Sequence, residues 1–309
     1  MNIEKICFFI LSTTSTIINA LSLYFSYRKY KMHKSNYVIL CINLSFSDLL
    51  RSIAGYIPSL FIEEHINTAT TLCKLSAFFI ALTAYTAIAM ITAIALSRMV
   101  LLSTCILSNK INYKALFIKI GVLSWIYGFT LAVMPFVGFS SYTLEETRAR
   151  CSINFSPKTR VEKIYLILLI AFGFFIPVII ISISCLYTAY VMRTKYKYFN
   201  ATYGRENIET KRYKEKEKKA FLSFVLMILS FIVCWTPYAI IGFFSAFTSI
   251  KIFKWLLHLA VYFGKCSTIV NPVIYFWKDG LFNKSFISKR AQLIQLLTRK
   301  TRVCNRPMI

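Results

Sequence analysis

Seven stretches of mostly apolar residues, at about 6–26, 37–61, 75–103, 115–136, 164–192, 220–245 and 255–277, constrain this chain more than any other feature. A helix needs roughly 20 apolar residues to cross the hydrocarbon core of a bilayer. Within lipid, backbone polar groups must be satisfied internally, which leaves helices and closed barrels as the spanning structures. The runs lack the period-2 alternation of a barrel strand, so a barrel is excluded. Composition agrees, with 57% hydrophobic residues, 16% charged residues and a mean hydropathy of +0.59, more apolar than soluble domains allow. The expected fold is an all-α membrane protein, a seven-transmembrane helix bundle.

The chain carries 37 Lys and Arg against 12 Asp and Glu, a balance that in a soluble protein would point to nucleic acid. Their positions point elsewhere. The segments 27–35, 98–114, 193–219 and 277–309 hold 25 basic residues, whereas the connections on the opposite side hold nine. The positive-inside rule therefore places the N-terminus outside and the C-terminus in the cytoplasm. The basic face is read as meeting anionic lipid and partner proteins, with no role for nucleic acid. The first apolar stretch follows Lys5, but no small-residue cleavage site ends it and basic residues crowd its far end, so it reads as helix 1 rather than a signal peptide. Residues 1–290 are read as one seven-transmembrane domain with its amphipathic helix and 291–309 as a short basic cytoplasmic tail. Within 278–297, Phe282, Phe286, Leu293 and Leu297 alternate with Lys278, Lys284, Lys289 and Arg290. That pattern predicts an amphipathic eighth helix on the inner membrane surface. The loop 193–219 is expected to extend helices 5 and 6 as basic turns around a flexible middle.

Topology also sorts the nine cysteines, because only Cys7, Cys73 and Cys151 lie at or near the oxidising side. A Cys73–Cys151 bridge would pin the second outer loop over the bundle; two free thiols are the alternative. Ionisable groups within the spans are functional hypotheses by default, and Lys265 leads them. Too deep to snorkel, its amine must be paired, deprotonated or chemically modified. A neutral buried amine is also the nucleophile that condenses with an aldehyde. The alternative is a structural lysine that pairs with a helix-2 acid or faces a water-filled cavity. Asp48 is the one acid inside a span, expected in a polar cluster with Asn19 and Asn271 that holds a sodium ion or waters. His33, His65 and His258 lack a metal-ligand spacing, and no protein metal site is assigned.

The string Lys265-Cys266-Ser267-Thr268-Ile269-Val270-Asn271-Pro272-Val273-Ile274-Tyr275 resembles the opsins, the retinal-binding branch of the rhodopsin-like G-protein-coupled receptors, specifically the non-vertebrate-visual type with a second-loop counterion. Asn19, the helix-2 string Asn43 to Asp48, Arg98 at 25 residues beyond Cys73, Trp125, Pro177 and Cys234-Trp235-Thr236-Pro237-Tyr238 extend the resemblance over about 15–290. The second outer loop, GFSSYTLEETRARCSINFSP, adds support.

The resemblance implies that Lys265 forms a Schiff base with retinal, 11-cis in the dark and all-trans after light. It assigns Glu145 as counterion, since the helix-3 position used by vertebrate visual opsins is Ser76 here. With Glu145 in place the linkage would be protonated and absorb in the visible; with Glu145 turned away it would absorb in the near ultraviolet. Trp235, Tyr238 and Phe231 share one face of helix 6, and Ala84, Tyr85, Phe155 and Phe174 are the further pocket walls. Isomerisation would shift the population from an inactive to an active bundle through Arg98, Glu217, Asn271, Pro272, Tyr275 and Asp48.

Implied partners are a heterotrimeric G protein, arrestin, a receptor kinase and the lipid of the plasma membrane, and no enzymatic activity is expected. The alternative functions are a light-independent receptor for a diffusible ligand and a retinal photoisomerase. The chain departs from the family at Ser97-Arg98-Met99, where Arg98 lacks the usual adjacent acid, at Cys185 in place of a helix-5 tyrosine, and at Asp279-Gly280-Leu281. The dark state is therefore expected to be held less tightly, with Glu217 the remaining partner for Arg98. Dark signalling should be measurable and should fall in Ser97→Asp; no dark signal, or one indifferent to the substitution, contradicts this.

Overall fold

The structure is a computed structural model that describes residues 3–33, 37–61, 69–103, 112–145, 150–204, 207–248 and 253–278. Seven long helices follow one another. They are α1 (Ile3–His33), α2 (Tyr37–Leu50), α3 (Thr71–Ser103), α4 (Tyr113–Val133), α5 (Arg160–Ile170, resuming as Ile176–Tyr203), α6 (Ile208–Phe247) and α7 (Lys254–Lys278). The first six meet the length and hydropathy needed to cross a membrane. α7 carries Lys265, Ser267, Thr268 and Asn271 on its buried face. α5 and α6 continue well past their apolar stretches, to Tyr203 and back to Ile208, as expected for helical extensions of the basic loop. The eighth helix, the tail and Asp279-Gly280-Leu281 lie outside the described residues, as do the side chains of Glu217 and Tyr275.

Two helices carry a π-helical turn that the apolar pattern does not reveal. α2 runs into one at Arg51–Tyr56 and then Ile57–Ser59, and α5 contains another at Ala171–Phe175. Each precedes a proline, Pro58 and Pro177, at the second position of the resumed helix. Proline has no N–H to donate one turn back and its ring crowds that carbonyl, and a wider turn absorbs the mismatch.

α3 is the central helix, packing against α2, α4, α5 and α6. Its Ile88, Met90, Ile91 and Ile94 join Leu40, Leu44, Phe117, Ile181, Met227, Phe231 and Ile274 in the main core. α3 and α4 approach closely at Gly128, where a Cβ would stand 2.6 Å from the carbonyl oxygen of Leu82. Trp125 of α4 reaches α2, its indole N–H donating to Asn43 Oδ1 at 3.4 Å.

Outside the helices, β1 (Tyr142–Leu144) pairs antiparallel with β2 (Cys151–Ile153), with Leu144 opposite Cys151. The Cys73–Cys151 disulfide, Cα atoms 5.3 Å apart, ties this hairpin to the start of α3. Tyr142 secures its other strand, donating its hydroxyl to the Ala132 carbonyl at 2.7 Å. The second outer loop is thus a lid over the bundle.

Candidate functional site

Beneath the lid is a cavity of about 1010 Å³ of non-atom space, its mouth included, lined by α2, α3, α5, α6, α7 and the hairpin. Lys265 projects into it from α7 and is only 3% exposed. Among the described residues its Nζ has no hydrogen-bond partner. Two rings lie against it, Phe8 of α1 with its centroid 3.6 Å away and Tyr56 at 4.8 Å. A buried amine without a partner has no structural task that an apolar side chain would not do better. The expected helix-2 acid does not reach it, because Asp48 is engaged elsewhere.

The walls are mainly those expected from the sequence. Ala84, Tyr85, Phe155, Phe174, Trp235 and Tyr238 all line the cavity with Lys265. Trp235 and Tyr238, one turn apart on α6, have ring centroids 6.0 Å apart, and Phe155 from the lid lies 6.3 Å from Tyr238. Phe231 differs from expectation. One turn further along α6, it packs at 6.1 Å on Phe174 and lines a small neighbouring cavity below Trp235. The 3.6-residue period that aligns three positions on one face also carries them over two turns, beyond the reach of one pocket.

Glu145 also departs from expectation. Its backbone N–H donates to the Arg150 carbonyl at the turn end of the hairpin, bringing the two side chains together. Arg150 donates from Nε to Glu145 Oε2 at 2.7 Å and from Nη2 to Oε1 at 2.8 Å, a two-pronged pair with side chains 9% and 6% exposed. Arg150 Nη2 also donates to the Tyr238 hydroxyl at 3.2 Å. Arg150 lines the cavity and Glu145 does not. Burial disfavours the Arg150 charge, but Glu145 and Tyr238 more than restore it and hold its pKa above the ordinary value. Ser76 on α3 turns back to its own helix, donating to the Cys73 carbonyl at 2.8 Å.

Deeper in the bundle, the cluster around Asp48 contains a cation of its own that the sequence reading did not place there, Arg51. Arg51, 1% exposed, places Nη2 3.3 Å from Asp48 Oδ1. It donates from Nε to Thr83 Oγ1 at 3.1 Å and from Nη2 to the Thr83 carbonyl at 2.8 Å. Asn271 Nδ2 donates to the other Asp48 oxygen at 3.3 Å. Asn19 instead bridges to α7, donating to the Thr268 carbonyl at 2.9 Å. The guanidinium carbon stands 6.0 Å from the Trp235 ring, so Arg51 connects the cavity floor to Asn271. Arg51 lies within the second apolar stretch, and the sequence alone assigns it no role. The available signal was its spacing, three residues after the one intramembrane acid, which puts both on one helical face.

At the far end of α3, Arg98 is half-buried. Ser97 donates to the Ile94 carbonyl at 2.9 Å, as a serine within a helix commonly does.

Seven helices around a lidded cavity, with a lone amine inside, define a membrane receptor with a site for a mostly apolar ligand. The chain matches the family model described as 7 transmembrane receptor (rhodopsin family) over residues 18–275. It therefore belongs to that family and is a multi-pass membrane protein. It is similar to Melanopsin-B of Xenopus laevis, 30% identical over 283 residues that cover 86% of this chain and 50% of that protein. It is also similar to the green-sensitive opsin of Gallus gallus, 25% identical over 291 residues, 90% of this chain and 76% of that one. The chain thus spans half the length of the melanopsin. The crystal structure of squid rhodopsin shares the fold, with a TM-score of 0.76 at 22% identity over 87% of this chain and 75% of that one.

Proposed function

We infer that this protein is a light-sensing receptor of the plasma membrane that holds retinal covalently on Lys265 and activates a heterotrimeric G protein when illuminated, with arrestin and a receptor kinase as its further partners. The observation that carries this reading is the Lys265 amine, buried without a hydrogen-bond partner in a cavity walled by aromatic and small apolar side chains. Lys265 would hold retinal through its amine, and the bound retinal would supply a light-absorbing polyene able to change shape. The chain's own residues do the rest. Tyr85, Phe155, Phe174 and Trp235 exclude water and orient an elongated apolar ligand, and the disulfide-pinned lid closes the outer end. Trp235 touches both the main cavity and the smaller one that contains Asp48 and Asn271. A change of ligand shape is thereby felt by the polar cluster between α2 and α7, where a few kcal/mol of differential contact suffices to shift a two-state bundle.

The test uses membranes containing the protein, incubated with 11-cis retinal, and a panel of heterotrimeric G proteins. Nucleotide exchange should rise on illumination and require retinal. A receptor for a diffusible ligand would exchange without regard to light or retinal, and a photoisomerase would release a cis product without driving exchange. Either result overturns the reading.

A further inference from the structure

Three cationic side chains line the cavity, those of Arg51, Arg150 and Lys265. Among the described residues two carboxylates serve them, and each is already taken. Asp48 faces Arg51 at 3.3 Å, and Glu145 is held by both prongs of Arg150 at 2.7 and 2.8 Å. Among the described residues no carboxylate lines the cavity. The other ionisable side chains lining the cavity are Tyr56, Tyr85, Tyr142 and Tyr238, of which Tyr142 donates to the Ala132 carbonyl at 2.7 Å. Tyr56 donates to the Gly264 carbonyl at 3.4 Å and Tyr238 accepts from Arg150, so neither offers a negative charge.

We propose that Arg150 is a spectral-specificity residue: by standing between Glu145 and the cavity, it withholds the counter-charge from Lys265, so that the retinal linkage is uncharged in the dark and the pigment absorbs in the near ultraviolet. This rests on the retinal reading above. The charge balance is its physical basis. With both ion pairs intact the site is neutral, and a proton on the Lys265 nitrogen would leave one buried positive charge in excess. Burying such a charge costs several kcal/mol even after relaxation. The Phe8 and Tyr56 rings offset only part of that cost, so the uncharged form prevails. Glu145 retains unused lone pairs, but sharing it would place two cations on one carboxylate.

Arg150 is therefore the lever. Removing its guanidinium frees a buried carboxylate whose best remaining partner is a proton on the Lys265 nitrogen. The experiment is the absorption spectrum of the full-length protein incubated with 11-cis retinal, recorded native and after acid denaturation. Acid denaturation protonates any Schiff base whatever its native state, and so reports attachment independently of the native charge. The wild type should show a native near-ultraviolet band that becomes the protonated adduct band on denaturation. Arg150→Met should move the native band into the visible, and Arg150→Met with Glu145→Gln should return it. A visible native band in the wild type, with the adduct present, overturns the proposal and leaves the retinal reading intact. An Arg150→Met pigment that forms the adduct yet stays in the near ultraviolet also overturns it. Absence of any adduct in folded wild type overturns both.

Discussion

Lys265→Ala is expected to abolish the adduct completely, with no retinal retained after acid denaturation and no light-induced change in spectrum. Lys265→Arg should lose it equally, because a guanidinium keeps the charge but has no free amine to condense. The pair of variants separates chemistry from charge. If Lys265 were a structural cation, Lys265→Arg would behave as wild type and Lys265→Ala would unfold the bundle. The unpartnered Nζ predicts otherwise. In the retinal-free protein, Lys265→Met should leave the thermal midpoint unchanged or raise it, because an unsatisfied buried polar group is replaced by an apolar one of similar volume. Retained adduct in Lys265→Ala, or a marked fall in the midpoint of Lys265→Met, would refute the assignment.

The second large effect is expected at Arg51. Arg51→Met leaves Asp48 buried with Asn271 as its one remaining polar contact in the cluster. Removing one member of a buried ion pair typically costs about 3–5 kcal/mol, most of it the penalty of the stranded charge. For a bundle of marginal stability this is a large fraction of the whole. Thermal unfolding in detergent should show a pronounced drop for Arg51→Met. Adding Asp48→Asn should recover most of it, because an amide next to Asn271 strands no charge. The recovery is the diagnostic part, since a merely space-filling arginine would give a loss that Asp48→Asn does not repair. Sodium titration offers a second readout. With the guanidinium in place, the wild-type midpoint should not respond to sodium beyond ionic strength.

The fold was largely legible in the chain, because its signal is local and repeated. Twenty apolar residues read as a span without reference to any other span, and the asymmetry of basic residues orients the bundle. Of the wall residues, Trp235 and Tyr238 were legible from the period of helix 6, whereas Ala84 and Tyr85 were expected only from the resemblance to opsins. The π turns were not, although Pro58 and Pro177 mark where they end, because a proline signals a mismatch without saying how the helix absorbs it. Phe231 shows the same limit more mildly, its face being readable and its depth not.

Charge pairing is where the sequence stops. It supplies Lys265, Glu145, Arg150, Asp48 and Arg51, and it supplies the oxidised cysteines that bring the second outer loop over the bundle. It leaves open which cation each carboxylate meets. That was decided when the hairpin register set Glu145 beside Arg150 and when α2 turned Arg51 onto Asp48 and against Thr83 of α3. The reason is physical. Burial of a helix face is a sum over many residues and survives small displacements, whereas an ion pair depends on angstroms and on what else competes for the same oxygens.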